Sequence, residues 1–211
     1  MNSITILSIV CVIASGPVHD SAISDYSSSK GDWIGYDNGT PNWLCWEHQY
    51  RGVWFNVEDF FPGVPVMELE QTELWFYHQA SYPWDTSETY IEFWNGTASG
   101  PEEFLEQLTV TASHYTPVSL EHSPDWIQVE PEFWIIQNSE LSLGGWPSVL
   151  GDNSDPTVVH SMVSDDMSTW EPWMYGSGTG GEFFISTYPE YPWQHGYALS
   201  PLSWGSVKAL F

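Results

Sequence analysis

The sequence predicts an all-β protein, an antiparallel β-sandwich or jelly roll with at most one short helix. Three observations carry that expectation. Ten or so short runs rich in β-branched and aromatic residues recur along the chain. Gly, Pro and Asn punctuate them at roughly regular spacing, and the clearest run alternates in period two.

The elements follow in chain order. Residues 4–14 (ITILSIVCVIA) form an apolar run broken only by Thr5 and Ser8 and followed by Ser15, Gly16 and Pro17. A run of this length is shorter than the roughly 20 residues a spanning helix needs. It suits the core of a signal peptide over residues 1–16, cleaved after Ala14 or Gly16. A buried first strand is the alternative, because Ile and Val dominate and the leading Met-Asn-Ser has no basic residue. Residues 17–31 read as a Ser-rich linker. The β domain is expected over 32–190, with 191–211 as a tail.

Within the domain, residues 33–36 and 43–46 flank Asp37-Asn38-Gly39-Thr40-Pro41, where Asn-Gly suits the positive φ angles of a tight hairpin. Residues 52–57 (GVWFNV), 69–79 (LEQTELWFYHQ) and 89–94 (TYIEFW) read as strands. In the last of these, Tyr90, Glu92 and Trp94 point one way and Thr89, Ile91 and Phe93 the other. A second Asn-Gly stands at Asn95-Gly96. The one candidate helix is 101–108, with Pro101 in a first-turn position ahead of Glu102 and Glu103. Residues 109–112 favour a strand, so that helix is short or absent. Further strands are expected at 126–129, 133–137, 157–163, 170–175 and 182–187. Gly144-Gly145, Gly151-Asp152-Asn153 and residues 176–181 separate them. Trp75, Phe93, Ile135 and Phe184, in mid-strand, are assigned to the core.

Composition limits the function. The chain has fourteen Trp, eleven Tyr and ten Phe, and three basic residues (Lys30, Arg51, Lys208) against 28 acidic ones, for a net charge of −25. Nucleic acid as a partner is excluded, since phosphate contacts need Lys and Arg. Anionic membrane surfaces are disfavoured for the same reason. The acids keep an aromatic-rich surface soluble, and they also suit a cation such as structural Ca²⁺. Asp152, Asp155, Asp165 and Asp166 are the candidate metal ligands, because 151–156 (GDNSDP) spaces side-chain oxygens two or three residues apart.

With the signal removed, Cys45 stands alone and makes no bridge within the chain. It reads as a buried, inert thiol. Fourteen indoles exceed what one core of this size hides comfortably, so some must meet a ligand or another chain. Sugar rings stack their C–H faces on Trp and Tyr and bond their hydroxyls to Asp, Asn, Glu and Gln. Candidate ligand-binding rings stand beside turns: Trp43, Trp46, Trp84, Trp146, Trp170, Trp173 and Trp193. Trp170 and Trp173, which bracket Glu171-Pro172, lead. Glu73, Glu92 and Glu182 lie on candidate strands and set up a two-carboxylate glycosidase as an enzyme alternative. No compact signature surrounds them, Gly-x-Ser-x-Gly occurs nowhere, and the seven histidines show no metal-ligand spacing.

Phe133-Trp134-Ile135-Ile136, Asp165-Asp166, the run 170–176 (WEPWMYG) and the run 181–185 (GEFFI), with the opening 37–41 (DNGTP), form a pattern. It resembles uncharacterised jelly-roll modules of secreted multidomain proteins from uncultured bacteria, over residues 33–187. That resemblance implies an exported jelly roll and transfers no active site. The tail 203–211 (SWGSVKALF) is similar to short Trp-Gly-x-x-Lys endings of exported bacterial proteins, which imply sorting or docking; a packed last strand or turn is the alternative. Together these features predict a secreted, extracellular or cell-surface, non-catalytic module that binds glycan or cell-surface material. The rival is a self-assembling subunit of a filament or surface layer whose partners are copies of itself.

Overall fold

The computed structural model describes residues 33–45, 47–82, 87–142, 145–176 and 178–190. The expected signal peptide, linker and tail lie outside the described residues, as do Trp46, Trp84 and Trp193. Within them the protein is an all-β, antiparallel sandwich with no α-helix and a single 3-10 turn at Val57–Asp59.

One six-stranded sheet is built on the long β3 (Met67–Tyr77). Along one side β3 pairs with β14 (Ile185–Glu190). Along the other it meets, in turn, β7 (Ile127–Val129), β6 (Pro117–Glu121) and β9 (Ser148–Gly151). β1 (Trp43–Cys45) closes that sheet against β9. The second six-stranded sheet runs in the order β11 (Glu171–Pro172), β10 (Ser161–Ser164), β2 (Tyr50–Asn56), β8 (Glu132–Asn138), β4 (Glu88–Thr97), β5 (Gly100–Thr111). A small ribbon, β12 (Met174–Tyr175) with β13 (Thr179–Gly180), follows β11.

The core lies between the two sheets. Thr89, Ile91 and Phe93 point inward from β4, as their alternation predicts, beside Phe133 and Ile135 of β8 and Val53 and Phe55 of β2. Phe55 and Phe133 stack at 4.9 Å. The facing sheet contributes Met67, Leu69, Leu74 and Phe76. β3 changes parity part-way. Leu69 pairs with Pro189 and Gln71 with Tyr188, so Glu70 is an extra residue. This bulge turns Thr72, Leu74 and Phe76 inward after Met67 and Leu69, and it explains why the run 69–79 does not alternate cleanly. Trp75, Phe93, Ile135 and Phe184 are all buried.

Several expected elements differ. Residues 101–108 are strand, not helix, because β5 pairs with β4 from Thr97↔Gly100 to Glu88↔Thr111. Tertiary pairing there overrides a Pro-Glu-Glu start signal. Asn38-Gly39 does not make the expected hairpin. Ile34 bridges Thr187, and 43–45 pairs with β9. Gly39 does take φ +78°, in a loop held by Asp37 Oδ1 and Asn38 Oδ1, which accept from the backbone N–H groups of Gly39 and Thr40. Asn95-Gly96 sits at a bulge inside β4, and the chain turns later, at Ala98-Ser99. The strand expected at 157–163 forms only as β10, that at 170–175 is split into β11 and β12, and that at 182–187 begins at Ile185.

Candidate ligand-binding cleft

β1 is the edge of one sheet and β11 the edge of the other. Where these edges meet, the sandwich stays open as a cleft of about 420 Å³. Three rings shape it. Trp43 stacks on Tyr175 with centroids 4.9 Å apart and planes at 22°, and Tyr175 lies 5.8 Å from Trp173. Trp173 forms the floor: it is only 4 % exposed and packs on Phe183 at 4.7 Å. The exposed carboxylates of Glu47 and Glu171 line the mouth with His48, whose Nδ1 lies 3.3 Å from Asp165 Oδ1. The Tyr175 hydroxyl is held above its ordinary pKa, first by desolvation and then by the charges of Asp155 and Asp152. It therefore remains a neutral donor and acceptor at pH 7.

Cys45 also borders the cleft, but its thiol is buried and burial pushes its pKa up to about 11. Only the thiolate is nucleophilic, so Cys45 is inert there. Beside it lies Arg51, wholly buried and the sole Lys or Arg among the described residues. Its guanidinium donates to Gln137 Oε1 at 3.1 Å and to the carbonyl of His48, and burial lowers its pKa. Its hydrogen bonds are thus made in the interior, while its charge is felt at Cys45 and Asp165 beside the cleft.

No protein-family model, curated protein or solved structure matches this chain. Its chemistry rests on its own geometry.

The structure brings Trp43 and Trp173 together and separates Trp170 from both. Trp170 lies on the outer face of the second sheet, 4.8 Å from Trp134 and over Gly52, with its indole N–H donating to Met167 O. Trp173 points to the core side. The two leading candidate rings thus point to different faces, because an odd spacing along extended chain sends side chains to opposite sides. Trp146 is also a core ring, 7 % exposed and packed against Tyr77 and Tyr82.

The four aspartates fall into two loops. Asp152 is wholly buried, and both its oxygens are occupied. Oδ2 accepts from Asn38 N, and Oδ1 accepts from Ser154 N, Ser154 Oγ and Glu182 N. It ties three segments together. Asp155 is exposed, Asp165 faces His48, and Asp166 caps the turn at Ser168 and Thr169. Among the described residues no group of three or more His, Cys, Asp or Glu is placed to hold a metal ion. The three glutamates of the glycosidase alternative also lie apart. Glu73 accepts from Trp75 Nε1 and Glu92 from Trp94 Nε1, on strands of different sheets. Glu182, 1 % exposed, accepts from His160 N and Ser161 Oγ.

Two clusters have no signal in the sequence because strand pairing alone assembles them. Register aligns Trp54, Trp134, Trp94 and Phe104 across four strands. Their indole N–H groups are fixed internally, Trp54 to Glu132, Trp94 to Glu92 and Trp134 to Thr97 O. His160 continues the row, stacked on Trp54 at 5.2 Å and on Tyr36 at 3.6 Å. Its ring nitrogens lie 3.5 Å from Asp59 and 3.6 Å from Glu182. Residues 59, 160 and 182 have no spacing that would announce this contact.

Proposed function

We propose that this protein is an exported, non-catalytic module that binds glycan through the cleft between β1 and the β11–β12 segment. One observation carries the reading: the stacked rings of Trp43 and Tyr175 stand over an open cleft with carboxylates at its mouth. Aromatic faces take the C–H faces of sugars, while Glu47, Glu171 and the Tyr175 hydroxyl take their hydroxyl groups. The cleft is more polar than the usual small-ligand site, which suits a ligand rich in hydroxyl groups. The apolar segment at residues 4–14 and the resemblance to secreted jelly-roll modules support export.

The filament or surface-layer reading is less well supported. β5, a free edge of the second sheet, carries Pro101, Glu102, Glu103 and Glu106. Proline and charge on an edge oppose strand addition. The test is titration of the purified chain with a panel of polysaccharides, read by Trp fluorescence and calorimetry. Quenching that Trp43→Ala weakens by about 1–3 kcal/mol, the range for aromatic stacking platforms, is the expected result. No binding across the panel, with concentration-dependent assembly by size exclusion, would overturn the reading in favour of the structural subunit.

A further inference from the structure

We infer that the cleft prefers amine-bearing glycans, such as a glucosamine oligomer, over N-acetylated, neutral or anionic ones. This rests on the glycan-binding reading and names its ligand class. The faces of Trp43 and Tyr175 carry the negative side of an aromatic quadrupole, which attracts a cation placed over it. Glu47 and Glu171 add full negative charges at the mouth, and Asp165 stands behind His48.

No Lys or Arg side chain lines the cleft. Arg51 is wholly buried and turned to Gln137 and the His48 carbonyl, and the chain holds only three basic residues for 28 acidic ones. A uronate or sulfated sugar would meet like charge with no guanidinium or ammonium to bind it. A neutral sugar would gain stacking and hydroxyl contacts only. An amino sugar presents a C–H face and an ammonium on the same ring, so one unit engages the aromatic wall and the carboxylates together. Attraction between unit charges a few ångströms apart near a protein surface is large enough to choose between these ligands.

The experiment uses the full chain at moderate salt, with glucosamine, N-acetylglucosamine and uronate oligomers of equal length. Affinity for the glucosamine oligomer is expected to exceed that for its N-acetylated form by about tenfold or more. The double variant E47Q/E171Q should bring the two within about twofold, because the glucosamine oligomer loses far more affinity than its N-acetylated form. Both residues are exposed, so the fold tolerates the change.

The net charge of −25 would itself attract a polycation. E102Q/E106Q, an equal charge change on β5 at the opposite edge of the sheet, controls for this and should keep the preference. Equal or tighter binding of the N-acetylated or uronate oligomer overturns the inference and leaves the glycan reading standing. So does an equal loss in both double variants, which would assign the preference to bulk charge. Failure of every oligomer to bind removes the glycan reading and this inference with it.

Discussion

The indole of Trp173 occupies the space a side chain at residue 151 would need: a Cβ built on Gly151 falls 2.2 Å from Cη2 of the ring. Gly181 approaches the same ring, with a Cβ there 2.8 Å from Cζ3. The two glycines let Trp173 close the sandwich where its edges part, and that closure is the floor of the cleft. Gly151→Ala must therefore displace the ring. Overpacking of this kind costs about 1–3 kcal/mol, and urea denaturation should show a loss in that range. A change below about 0.5 kcal/mol, the scale of a neutral surface substitution, would show that the ring moves freely.

Asp152 makes a second prediction. Its carboxylate accepts four hydrogens, three from backbone amides and one from a hydroxyl. Asp152→Asn replaces one acceptor with an NH₂ that faces donors, in a site with no access to water. Leaving charged-group hydrogen bonds unmade inside a protein costs about 1–3 kcal/mol or more. Thermal or urea melts should register that loss for Asp152→Asn, and almost none for Asp155→Asn, whose residue is exposed. Equal effects would contradict the hub role.

The fold class was legible because turn residues and alternation are local. Residues 89–94 show this best: period two separates Thr89, Ile91 and Phe93 from Tyr90, Glu92 and Trp94, and the first set is the one buried between the sheets. Three features were illegible for a physical reason. The bulge at Glu70 shifts parity without any Gly or Pro in β3 to mark it, and Pro189 opposite is recognisable only once β14 is paired. The Pro-Glu-Glu start of β5 resembles a helix N-terminus until β4 supplies a partner. The Asn38-Gly39 turn has hairpin chemistry, but its flanking segments pair with β9 and β14, more than a hundred residues away. For the cleft, Trp43 and Trp173 were named from their nearness to turns, while Tyr175, Glu47 and Glu171 were not. Only the meeting of two sheet edges brings those five residues together.

His122 gives a pH prediction. It is buried, with Nε2 2.9 Å from Thr72 Oγ1 and its ring edge-on to Phe93, and burial lowers its pKa from 6.5 to about 4. Below pH 6.5 the unfolded chain takes up the proton before the folded one does. Its contribution is therefore complete above about pH 6.5 and is lost progressively as pH falls towards 4. Between pH 6.5 and 5, stability of the native protein should fall more steeply than that of His122→Gln. Parallel curves would show that His122 does not titrate differently in the two states.

Cys45 is expected to be silent towards thiol reagents. In a Cys11→Ser background, a disulfide reagent at pH 8 should label Cys45 only after denaturation, since the thiol is buried and its pKa is raised to about 11. Labelling at the rate of a free thiol under native conditions would mean that the cleft floor opens readily.

Trp170 supplies the sharpest contrast with the cleft. It covers Trp134 and Gly52 on the outer face, and Trp134, itself wholly buried, depends on that cover. Trp170→Ala exposes apolar surface and leaves a gap above Trp134. Stability should fall by about 2–4 kcal/mol, a little under the usual cost of removing a fully buried Trp. Affinity for a short oligosaccharide should stay unchanged, because the cleft lies on the other side of the strand. Trp43→Ala should do the reverse, since its ring is partly exposed and stacks on Tyr175 at the rim. If Trp170→Ala abolished binding at full stability, the ligand would sit on the outer aromatic row of Trp54, Trp94 and Phe104, and the cleft would be empty of function.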